Sequence, residues 1–113
     1  MHEMAIAESM LEIVAATAQD NAAARVATIW LELGALAQVE TEALVFCFDA
    51  VARGSVAEGA RLEIVTRPGA AWCMPCGGRV ELSRRGDPCP QCGSYQLQVV
   101  GGDEMRVKEI ALA

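Results

Sequence analysis

Four of the five cysteines stand as two Cys-x-x-Cys pairs, Cys73 with Cys76 and Cys89 with Cys92, with twelve residues between the pairs. Pro75 and Gly77 mark a tight turn at the first pair, and Pro90 and Gly93 do so at the second. Such turns aim two sulfurs at one point. Four converging thiolates form a closed tetrahedral site that suits zinc, at Zn–S distances of about 2.3 Å, with no position left for substrate. Iron would accept the same sulfur set, but only Trp72 and Tyr95 lie near enough in sequence to shield a redox centre. Two disulfides would need an oxidising compartment, and the opening residues run straight into a helical pattern without the regions of a secretory signal. The motif is expected to hold structural Zn2+.

A second chemistry is written at the start of the chain, where His2 is the only histidine. A bulky residue at position two generally blocks removal of the initiator methionine, so Met1 is expected to keep a free amine. That amine, the His2 amide nitrogen and the His2 imidazole could close adjacent chelate rings around one metal. A fourth donor could come from the Glu3 amide or from a carboxylate. In-plane nitrogen donation with amide deprotonation favours Ni(II) or Cu(II), whose square-planar preference zinc does not share. Because amine and imidazole must shed protons, such a site weakens as the pH falls through the histidine range. Glu40 and Glu42 are further candidate outer ligands, although carboxylates at a helix start explain them equally well.

The elements that must position these groups follow from periodicity. From Met4 to about Gln19, the residues Met4, Ala7, Met10, Leu11, Val14 and Ala18 recur at steps of three and four, which predicts an amphipathic helix. Arg25 to Leu33 reads as a strand with Ala27, Ile29, Leu31 and Leu33 on one face. A second helix is expected over Glu40–Arg53, stopped by Gly54, with Cys47 inside it as a small buried hydrophobe. Arg61 to Thr66 alternates as a strand closed by Pro68-Gly69, Tyr95 to Val100 reads as a short strand, and Glu104 to Leu112 reads as a last one. Between the cysteine pairs, Gly78 to Ser83 reads as a strand or arm, with Arg84 and Arg85 at a solvated tip. The expected fold is α+β: a small three-stranded mixed sheet with two helices, plus an inserted zinc-ribbon-like module built on the four cysteines. Residues 1–70 with 101–113 would form the nickel-binding domain, and residues 71–100 the zinc-binding module.

Composition narrows the function. At 113 residues there is room for one modest core and a metal-stapled appendage. Nine Lys and Arg against fifteen Asp and Glu leave a net charge of −6, which opposes a nucleic-acid-binding or transcription-associated zinc ribbon. No uncharged run approaches the roughly 18 to 20 residues of a membrane span, so a soluble, cytoplasmic protein is expected. There is no Gly-rich phosphate loop and no histidine near a candidate nucleophile, so an enzyme is not expected.

MHEM at the start, the amphipathic helix, FCFDAV in the second helix, the Cys-x2-Cys-x12-Cys-x2-Cys module and the closing GDEMRVKEI together resemble the HypA/HybF family over essentially the full chain. These are nickel-delivery factors for the maturation of [NiFe] hydrogenases. The resemblance implies Ni2+ bound through Met1, His2 and Glu3, and zinc held by Cys73, Cys76, Cys89 and Cys92. It also implies docking to a HypB-type GTPase, which would supply any GTP hydrolysis, and to the hydrogenase large-subunit precursor; a homodimer is left open. Some members carry further histidines near the cysteine pairs. This chain has none, so no extra nickel ligand is expected from the zinc module.

Overall fold

The computed structural model describes residues 2–113. The chain runs through α1 (Glu3–Asp20), β1 (Val26–Gly34), α2 (Thr41–Ala52), β2 (Arg61–Arg67), β3 (Gly69–Cys73), β4 (Gly78–Leu82), β5 (Leu97–Gly101) and β6 (Met105–Leu112). One three-stranded sheet has the order β2-β1-β6, and a second has the order β4-β3-β5. Two compact units result, residues 1–31, 39–64 and 107–113 in one, and residues 32–38 and 65–106 in the other.

In the first unit, α1 buries Ala7, Met10, Val14 and Ala18, the stripe that its periodicity marks. It packs against α2, which buries Leu44, Phe48 and Ala52 at four-residue steps. The outer ends of both stripes are wetter than expected, since Met4 and Val45 are exposed and Cys47 is only half-buried. On β1, Ile29 and Leu31 are fully buried, while Ala27 is exposed and Val26 is buried in its place. The Val26 amide donates to the Val56 carbonyl, which draws the start of the strand inward.

The second unit contains a sheet whose central strand the periodicity of the sequence does not announce. β3 is the central strand and pairs antiparallel with both neighbours, Ala71 opposite Val80 and Val99, and Cys73 opposite Gly78 and Leu97. Its sequence, GAAWC, carries no visible alternation, because small residues occupy both faces. The inner face is nevertheless a true core: Ala71, Cys73, Val80, Leu82 and Cys89 close around Leu36, with Leu97 and Val99 at the margin. Leu36 reaches this core from the loop after β1, where its amide donates to the Gly102 carbonyl and the Ala35 amide donates to that of Arg67. Close backbone approach makes this crossing possible. A Cβ on Gly34 would strike the Gly102 carbonyl, and Gly102 itself has φ +78° with Gly69 packed against it.

Arg85 is exposed, as expected of the tip, but it also reaches back to the loop after β1. Its Nε donates to the Leu36 carbonyl at 3.0 Å, and its guanidinium lies 3.7 Å from the Asp103 carboxylate. A carbonyl exposed by the turn after β1 finds its donor there. Arg84 does remain in solvent, 4.0 Å from Asp87.

Candidate metal centre

β3 and β4 form a hairpin whose connection, Met74 to Gly77, is the first Cys-x-x-Cys turn. The Gly77 amide donates to the Cys73 carbonyl at 2.9 Å, and Gly77 has φ +63°. The second turn repeats the device: the Gly93 amide donates to the Cys89 carbonyl at 2.9 Å, with φ +75° at Gly93. Neither glycine is crowded, so each is required by backbone conformation and not by space. The Cys89 amide donates to the Ser94 carbonyl and closes the second turn, and the Met74 amide donates to the Gln96 carbonyl and ties the first turn to the segment that follows the second.

All four Sγ atoms therefore lie within 4.8 Å of one another, with Cys73 3.5 Å from Cys92 and Cys76 3.9 Å from Cys89. A tetrahedron with metal–sulfur bonds of about 2.3 Å has sulfur–sulfur edges of about 3.8 Å, so the donor set fits a four-thiolate metal ion. Cys73 and Cys89 are buried in the sheet core, whereas Cys76 and Cys92 face solvent, so one cysteine of each pair anchors its turn and the other closes it.

The thiols do not share one acidity. Burial opposes ionisation of Cys89, but the amides of Cys92 and Gln91 point at its sulfur and bring its pKa down to about 7. Hydrogen bonding to Cys92 and Cys73, together with burial, pushes Cys76 up to about 12. A metal loading this cluster would meet a first thiolate at Cys89 and would have to displace the proton of Cys76.

At the other end, Met1 lies outside the described residues. His2 is exposed and occupies the cap position of α1, its carbonyl accepting from the Ile6 amide at 3.0 Å. The Glu3 carboxylate accepts from the Glu40 amide at 3.2 Å, across 37 residues of sequence. That contact holds the Glu3 carboxyl below the usual range and ties the residue after His2 to the cap of α2. Glu40 is thus brought to the N-terminal segment by its backbone amide, while Glu42 is exposed in the first turn of α2. No sequence signal marks this tie, because a carboxylate–amide contact between two helix starts leaves no local pattern.

A small α+β fold whose second sheet carries four thiols gathered as a metal-ion donor set defines a metal-binding protein with a four-cysteine module. A family model described as HypA, a hydrogenase/urease nickel incorporation metallochaperone, matches residues 1–112, and the chain belongs to that family. Hydrogenase maturation factors HypA from Albidiferax ferrireducens and from Rhodopseudomonas palustris (strain BisB5) are each 58% identical over 110 residues, covering 97% of both chains. The fold is similar to the solution structure of the Ni metallochaperone HypA from Helicobacter pylori, with a TM-score of 0.70 and 22% identity, over 99% of this chain and 97% of that one.

Proposed function

We propose that this metallochaperone binds Ni(II) through Met1, His2 and Glu3 and hands it on during [NiFe] hydrogenase maturation, while Cys73, Cys76, Cys89 and Cys92 hold structural zinc. Family membership over residues 1–112 carries this reading, and supports a metallochaperone rather than an enzyme. The chemistry supports the division of labour. Four gathered thiols would grip a metal too tightly for transfer, whereas an exposed His2 at a chain end offers open coordination. In this reading nickel belongs to residues 1–70 with 101–113, and zinc to residues 71–100. The receiving partners are a HypB-type GTPase and the hydrogenase large-subunit precursor, in the cytoplasm, and no helix of the described residues is long and apolar enough to cross a membrane.

The test is nickel and zinc titration of the untagged protein beside His2→Ala and a variant extended before Met1. Both changes should abolish nickel binding and leave zinc at one equivalent. Unchanged nickel affinity in both variants would sink the N-terminal site.

A further inference from the structure

α2 is apolar on two sides. Its inner side buries Leu44, Phe48 and Ala52, yet on its outer side Phe46 is 73% exposed and Val45 is 42% exposed. Single exposed apolar residues are ordinary, but these two are adjacent, and Val45 also lines a cleft. Val45 forms one wall of that cleft, of about 90 Å³, with Ala57, Ala60 and Leu62 opposite and Asp49 at its rim. The helix period sets Glu42 one turn before the pair and Asp49 one turn after it, so the apolar strip is acidic at both ends. Among the described residues, the counter-charge of Asp49 is the exposed Arg53, 3.6 Å away.

The wider charge distribution points the same way. Ten of the fifteen acidic residues and four of the nine basic ones lie in the unit that carries α2, so the whole net charge of −6 resides there and the cysteine-bearing unit is balanced. Such a field selects the occupant of the strip. Anionic membranes and nucleic acid are repelled, and a second copy of the chain would set Glu42 and Asp49 against their own kind. A cationic partner is drawn in, and an apolar knob beside a cleft is what a helix with an apolar row can cover.

We infer that the outer stripe of α2, with Val45 and Phe46 at its centre and Glu42 and Asp49 at its ends, docks an amphipathic helix of a partner protein whose apolar row is edged by Lys or Arg. Docking there is independent of nickel, because Val45, Phe46 and Asp49 are not candidate nickel ligands and Glu42 stands outside the proposed set of Met1, His2 and Glu3.

An amphipathic peptide of leucine and lysine, about 18 residues or five turns long, serves as the probe. Titrated into the isotope-labelled full chain at physiological salt, it should shift amides centred on Glu42–Asp49 and on Leu62. Phe46→Ser should weaken binding by about ten-fold or more, as truncation of a central aromatic anchor does. Because Phe46 is exposed, the fold should survive that change. Ile13→Ser, which removes an exposed apolar residue from α1, should bind as wild type does. The double change Glu42→Lys with Asp49→Lys should weaken binding and flatten its salt dependence, and His2→Ala should leave it unaltered. Equal affinity of Phe46→Ser and wild type, shifts spread evenly over the acidic residues of α1, or no binding would overturn the inference. So would self-association of the wild type that Phe46→Ser abolishes, since the stripe would then serve a second copy.

Discussion

Glu32 on β1 is held from both sides, by Arg67 of β2 at 2.9 Å and by Arg106 of β6 at 3.2 Å. The hydrogen bond from Arg67, reinforced by that from Arg106, keeps its carboxyl below the usual range. A carboxyl depressed in the folded state stabilises the fold above its unfolded pKa, and that contribution disappears as the pH falls through the folded value. Glu32→Gln should therefore be less stable than wild type at neutral pH, and the gap should close below about pH 4. Denaturant melts of both proteins at pH 7 and pH 3 check this; a gap independent of pH would mean that packing, not charge, matters at this position. The cysteines could be read from spacing alone, because a knuckle is a local object. The partners of Glu32 could not, since Arg67 and Arg106 are 35 and 74 residues away.

The loop from Ala35 to Gln38 shows how a connecting element becomes a core element. Leu36 is 1% exposed and fills the space beneath Ala71, Cys73 and Cys89, held in place by Arg85 and by the backbone of Gly102. Leu36→Ala should cost about 2–5 kcal/mol, as large-to-small changes in packed cores do, and should loosen the thiol cluster as well. Urea denaturation together with the rate of metal transfer to a chromophoric chelator measures both effects. A loss of stability with no change in that rate would separate the core from the metal site. The helices and the strands β1, β2 and β5 were legible because each repeats a period over five residues or more, and β6 was legible although Met105 and Val107 are out of phase with Ile110 and Leu112. β3 was not: its Ala70 and Ala71 look alike, and only pairing with β4 and β5 tells inner face from outer.

At the scale of the molecule, the proposed nickel end and the thiol cluster belong to different units. Both helices lie in the unit that carries His2, whereas all four gathered cysteines lie in the other, whose core amounts to a few side chains around Leu36. So small a core needs a staple, and structural zinc in small domains supplies on the order of 10 kcal/mol of folding free energy. Cys92→Ser, or stripping with a strong chelator, should release zinc and abolish hydrogen-exchange protection in β3, β4 and β5. The far-UV helical signal should largely persist. Cooperative loss of the helices along with the metal would show that the first unit depends on the second.

The sequence by itself determined whatever is local: two knuckles with their glycines, the stripe of each helix and the alternation of most strands. Physical reach explains why, since turns and periods act over a few residues. Tertiary structure alone decided that Leu36 enters the cysteine core, that Arg85 reaches the Leu36 carbonyl, and that Glu3 is tied to the start of α2. Each of these joins groups at least 35 residues apart, or satisfies a backbone atom whose exposure no sequence pattern records. The four cysteines lie between the two cases. Their spacing announces a metal site, but the sulfur tetrahedron exists only because β3 sets Cys73 against β4 and β5, at the centre of a sheet that its own residues do not advertise.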